Sequence, residues 1–200
     1  NNKAEFISLL EKVIGELYDN HTHLLTNLSS SYRLSPSGLD IWPELENNKY
    51  IIKEVRAGSG AEICGIRPGM QITHINGQRI DEAILQITGK AIINPGKEVE
   101  EWAIRTLLAG NYETKRVLKL SYNGKEFTRE PDKDKDTYSY FMYDSNIRSN
   151  ILDNNIGYIS INNSLGDENT VQMFDSVLNS MWDTRGLIID LRETPGGGSS

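Results

Sequence analysis

GLIIDLRETPGGG, residues 186–198, is the stretch on which the fold turns. Leu187-Ile188-Ile189 reads as a buried strand running into Asp190-Leu191-Arg192, followed by Pro195 and three successive glycines. An apolar run of this length bounded by Gly and Pro fits an inner strand of a sheet covered on both faces. Gly196, Gly197 and Gly198 let the backbone take positive φ and come close to a ligand. Such a turn can aim backbone N–H groups at an anion or a developing oxyanion; it can equally be an ordinary glycine-rich loop.

Immediately upstream, residues 156–161 form a short strand candidate. Val171, Phe174, Leu178 and Met181 then recur at helical spacing over residues 169–182, and Asn169 with Gln172 resembles a capping box. Strand, helix, strand and glycine loop make a βαβ unit, and the loop at the carboxyl end of its second strand is a common place for an active site. One such unit cannot cover both faces of its sheet. The chain is therefore expected to be a fragment, with the rest of that sheet beyond Ser200.

Two hundred residues allow one large domain or two small ones. With 38% hydrophobic and 24% charged residues, a sizeable core is expected. The formal charge of −7, from 21 basic and 28 acidic residues, gives no basic footprint for nucleic acid or an anionic membrane. No apolar run reaches the roughly 18 residues of a membrane span. There is no signal peptide at Asn1, and the absence of an initial Met suggests that an N-terminal piece has been removed. The single Cys64 excludes an internal disulfide and a thiolate metal cluster, and among apolar neighbours it reads as a small buried hydrophobe. The residues give no support to a metal or an organic cofactor.

Residues 3–18 are patterned as a helix, with Phe6, Leu9, Leu10, Val13, Ile14 and Leu17 on one face. That stripe is expected to be buried against the following domain or the missing remainder. His21 and His23 follow a turn at Asp19-Asn20; each is either a surface or capping group or a chemical one. On a strand their i, i+2 spacing would point them to opposite faces, which makes a poor metal pair. Residues 31–131 look like one compact unit, with strand candidates at 32–34, 39–42, 50–55, 71–75, 117–122 and 126–129. The last two flank Asn123-Gly124, a hairpin signal. Helices are expected at 59–64 and 98–108, and the whole suggests a small, partly open barrel. His74 falls within a strand and reads as a surface or packing residue. Residues 131–136, PDKDKD, read as a solvated connector without an apolar anchor. Tyr138, Tyr140, Phe141 and Tyr143 then form an aromatic strand candidate, suited to packing rather than to stacking on nucleic acid.

Within that unit, IIKEVRAGSGAEICGIRPGMQITHINGQRI resembles the core of a PDZ domain. Gly65-Ile66-Arg67-Pro68-Gly69-Met70 and Ile75-Asn76-Gly77 match the family's ordered turns, with Met70 where Asp is usual. The physical basis is visible: Pro68-Gly69 preset one tight turn, and Asn76-Gly77 supply positive φ at the next. The resemblance implies a groove that holds a peptide's terminal carboxylate on a Gly-Leu-Gly-Phe-like loop and adds the peptide as a strand. The matching residues are Gly38, Leu39, Asp40 and Ile41; Asp40, in place of Gly, brings a negative charge to where one must be accommodated. A PDZ-like unit that merely packs or gates is the alternative.

The order of parts resembles the C-terminal processing (tail-specific, tricorn-core-like) serine peptidases, related in fold to the ClpP/crotonase architecture. Asp190-Leu191-Arg192-Glu193-Thr194-Pro195-Gly196-Gly197 matches that family's core motif, and Ile156-Gly157-Tyr158-Ile159 its preceding strand. Leu17-Tyr18-Asp19-Asn20-His21-Thr22 resembles the Asp-Gly-His-Thr element of the tricorn-like branch, with Asn20 for Gly. The implied fold class mixes α+β and α/β: a helical segment (1–30), a PDZ-like domain (31–132) and the incomplete start of a ClpP/crotonase-like βαβ core (133–200). By the same resemblance Gly196 or Gly197 would donate a backbone N–H to the oxyanion, and His21 would be the general base; in the other branch a Lys does that work. Ser199 and Ser200 are loop residues, the nucleophile lies further on, and these 200 residues alone are expected to be inactive. Protein or peptide substrates, no cofactor and an extracytoplasmic location go with the family. A noncatalytic peptide-binding protein and an acyl-CoA enzyme of the crotonase type are the rival readings.

Overall fold

Asn2 opens the first helix, α1 (Lys3–Gly15), by accepting the Ala4 N–H on its side chain at 3.1 Å. This satisfies one of the donors that a helix start leaves without a partner. The stripe expected on α1 is not its buried face: Leu10 and Ile14 are half-buried, and the one buried residue, Ile7, lies outside the stripe. Phe6, Leu9, Val13 and Leu17 are all strongly exposed. The computed structural model describes residues 2–24, 28–36, 38–89, 92, 94–133, 145–163, 166–192 and 194, and they fall into two units, Asn1–Thr137 and Tyr138–Ser200.

The first unit is built on a six-stranded antiparallel sheet: β1 (Ile41–Glu46), β2 (Lys49–Val55), β3 (Gln71–Ile75), β4 (Gln78–Arg79), β5 (Leu118–Tyr122) and β6 (Lys125–Arg129). The spatial order is β1-β2-β3-β5-β6, with β4 paired to β3. Three tight turns make it possible. Asn47-Asn48, Asn76-Gly77 and Asn123-Gly124 all take positive φ at both residues, the requirement of the type I′ hairpin. Three helices complete the unit: α2 (Gly60–Ile63), capped by Ser59, α3 (Ile80–Thr88) and α4 (Lys97–Ala109). Helix α3 is not evident from the sequence, because it follows β4 with no loop and spans just nine residues. The strand expected at 32–34 is a single bridge, Tyr32 to Asn111. Met70 is 7% exposed and belongs to the apolar core with Ile52, Ile66 and Ile72, which explains an apolar residue there.

A buried ion cluster overturns two expectations. Arg116, 1% exposed, forks onto both oxygens of Asp40 (2.6 and 3.0 Å) and both of Asp132 (2.6 and 2.9 Å). Its backbone N–H also donates to Asp132 at 2.8 Å. Burial alone would push the guanidinium down, but the four carboxylate oxygens outweigh it and hold the group above its ordinary value. Asp132, expected in a solvated connector, is thus a buried partner, with Pro131 buried beside it. The Asp40 carboxylate likewise faces Arg116, which offsets the negative charge it was expected to bring to the loop.

In the second unit, β7 (Ile147–Leu152) pairs antiparallel with β8 (Ile156–Ile161), and β8 pairs in parallel with β9 (Gly186–Asp190) after the crossover helix α5 (Glu168–Ser180). The expected βαβ unit is present; β7 is an addition to it. The cap of α5 is Asp167 rather than Asn169: its carboxylate accepts from the Thr170 N–H at 2.9 Å and the Thr170 hydroxyl at 2.7 Å. Ile147, Ile159, Ile161 and Met181 form the core under α5. Among the described residues β9 lies at one margin of a three-stranded sheet, and Leu187, Ile188 and Ile189 are 39–47% exposed there. The aromatic strand candidate at 138–143 lies outside the described residues.

Candidate functional site

At the carboxyl end of β9, Asp190 is 8% exposed and collects four donors. Tyr158 OH donates to Oδ2 at 2.6 Å. The Arg192 side chain donates to Oδ1 at 2.9 Å and to Oδ2 at 2.6 Å, and its backbone N–H to Oδ1 at 3.1 Å. Pleating explains the meeting. Ser160 is opposite Asp190 in the parallel register, so Tyr158, two residues earlier, shares that face. Beyond this clamp Thr194 ties the chain back, with its hydroxyl donating to the Ile161 carbonyl at 2.8 Å and its N–H to that of Leu191 at 3.0 Å. Gly196 and Gly197, the candidate oxyanion donors, lie outside the described residues, as do Ser199 and Ser200.

The bonds from Arg192, and with them that from Tyr158, outweigh partial burial and hold the Asp190 carboxyl well below its ordinary range. A depressed folded value means that the stabilisation is present above the unfolded value, near 3.8, and is lost as pH falls below it. Because the Arg192 side chain is 82% exposed, solvent screens its share of the stabilisation. Asp190→Asn is expected to lower stability by about 1 kcal/mol at neutral pH. In urea titrations run from pH 7 to pH 3, that difference should shrink below about pH 4.

In the first unit, Asp19 organises the segment after α1. One carboxylate oxygen accepts the His21 N–H at 2.9 Å and lies 3.2 Å from Nδ1 of the same ring; the other accepts the Thr22 hydroxyl at 3.1 Å. These bonds, the His21 backbone one foremost, hold the Asp19 carboxyl below its ordinary value. The His21 ring is 94% exposed. Asp19 and His23 line a cavity of about 790 Å³ bounded by α1, α3 and α4, whereas His21 is not among its lining residues.

The loop matched to the carboxylate-binding element is already engaged with its own turn. Gly38 N–H donates to the Leu34 carbonyl at 2.6 Å and Leu39 N–H to that of Pro36 at 3.0 Å. Leu39, Asp40 and Ile41 are all buried. Sequence reading missed the contacts flanking this loop, namely Arg116 on Asp40 and helix α4 against β1, since each joins residues more than fifty positions apart. Cys64 is half-buried, its thiol pushed up by burial. His74 Nδ1 lies 3.1 Å from the Thr73 hydroxyl. Among the described residues no group of three or more His, Cys, Asp or Glu could hold a metal ion, and no described helix is long and apolar enough to cross a membrane.

No family model matches the chain, and no curated protein does. Among solved structures, mature CPAF complexed with lactacystin aligns with 95% of this chain and 46% of its own, at 17% identity and a TM-score of 0.46. The photosystem II D1 C-terminal processing protease aligns with 99% of this chain and 52% of its own, at 16% identity and a TM-score of 0.42. A PDZ domain protein from Parabacteroides distasonis covers 82% of this chain and 38% of its own, at 18% identity and a TM-score of 0.31. The chain spans about half the length, or less, of the structures it matches.

Proposed function

We propose that the chain is the N-terminal part of a serine endopeptidase of the C-terminal processing type. In this reading residues 31–132 are a PDZ-like module that handles extended peptides or protein C-termini, and residues 133–200 begin the peptidase core. One observation carries it: the parallel crossover β8–α5–β9 brings Asp190 and Arg192 to the carboxyl end of the sheet, directly ahead of the glycine run. Ligands of such sheets bind outside the carboxyl ends of the strands.

The chemistry is acyl transfer. A serine hydroxyl attacks the scissile carbonyl, His21 takes the hydroxyl proton on Nε2, and the same proton goes to the leaving amine. Backbone N–H groups of Gly196 or Gly197, a few residues after Asp190 and Arg192 in the sequence, hold the oxyanion. Asp19 orients the His21 ring. An extracytoplasmic location goes with this reading.

The test is a fluorophosphonate probe applied to the full-length protein alongside hydrolysis of an extended peptide. Labelling of one serine with parallel loss of hydrolysis supports the peptidase. Neither labelling nor hydrolysis would leave a noncatalytic binding protein.

A further inference from the structure

The outer edge of β1 is engaged by the protein's own helix. Leu45 N–H donates not to β2 but to Glu101 Oε1 on α4, at 3.0 Å. Pro43, two residues earlier and therefore on the same side, has no N–H to give. Between Pro43 and Leu45 the edge holds one donor, and a side chain occupies it. Glu101 is itself held in place: Arg105 Nη2 lies 3.1 Å from Oε2 and Lys97 Nζ lies 3.5 Å from Oε1. Its side chain is 13% exposed. The Arg105 guanidinium lies over the Trp42 ring at 4.1 Å from the centroid, and its Nε–H is buried with no acceptor among the described residues. A strand edge ordinarily presents a row of unpaired backbone groups. Here a carboxylate stands where the carbonyl of a neighbouring strand would be, beside a cation that lacks one acceptor.

We propose that Glu101 is a displaceable plug, and that an extended peptide joins the β1 edge by taking its place. A peptide carbonyl would accept the Leu45 N–H, and a second peptide oxygen would meet Arg105 Nε–H. This rests on reading the unit as a peptide-handling module and adds to it a resting state that is closed. One hydrogen bond is exchanged for another at Leu45, so the plug sets a threshold: isolated side chains gain nothing there, and a ligand must offer a continuous extended backbone to win.

The experiment follows the Leu45 amide by hydrogen exchange in the full-length protein, with a ten-residue alternating Val/Thr peptide as the probe. Glu101→Ala is expected to speed exchange at Leu45 about tenfold and to bind the probe about tenfold more tightly than the parent, with renewed protection of that amide. Glu101→Ser serves the same purpose should the alanine variant unfold. Unchanged exchange at Leu45, or a probe that leaves this amide unprotected in the variant, would overturn the plug. Serine labelling of the same samples reports the peptidase reading separately: a labelled protein whose Leu45 amide ignores the peptide loses the plug and keeps the peptidase.

Discussion

Arg116→Ala is expected to destabilise the protein by about 3–5 kcal/mol, the cost of stranding buried charges whose partner has gone. Asp40 and Asp132 are 2% and 8% exposed, and both forks onto them come from the one guanidinium. Arg116→Lys should recover little. An ammonium is a point donor and cannot serve two carboxylates bidentately. Arg116→Met combined with Asp40→Asn and Asp132→Asn should recover most of the loss, because removing all three charges removes the desolvation problem. Urea unfolding of the three variants checks this. A single alanine variant within about 0.5 kcal/mol of the parent would mean that the cluster is hydrated in solution.

On the proposed peptidase reading, His21→Ala in the full-length protein should lower peptide hydrolysis by about 10²- to 10⁴-fold, the span usual for losing a general base. Stability should stay within about 0.5 kcal/mol, because the ring is 94% exposed. That pairing of a large kinetic effect with a negligible thermodynamic one separates a chemical role from a structural one. Asp19→Asn, which keeps the turn but alters the group facing Nδ1, should give a smaller loss in kcat. An unchanged rate in His21→Ala would remove the histidine and favour a lysine base.

What could be read in advance was local. Asn76-Gly77 and Asn123-Gly124 announce their turns because few residue pairs tolerate positive φ twice. The β8–α5–β9 crossover was legible because two short apolar strand candidates bracket a stretch whose apolar residues recur at helical spacing. The buried ion cluster was not. Asp132 sits in PDKDKD, where every charge resembles a solvated one, and Asp40 meets Arg116 across 76 positions. The stripe on α1 was seen, but Phe6, Leu9 and Val13 are exposed while Ile7, which lies outside it, is buried, a division that depends on which neighbours are present. Glu101 could not be distinguished from Glu98 and Glu100 by type or spacing; its distance to Leu45 alone marks it.

The cluster around Arg116 also bears on how the chain is made. Synthesis proceeds from the amino end, so Asp40 emerges first, Arg116 much later, and Asp132 last. Until residue 132 has cleared the exit tunnel, the guanidinium has half its counter-charge, and the sheet cannot seal over it. The first unit should therefore acquire its final resistance to proteolysis in one late step on the ribosome rather than strand by strand.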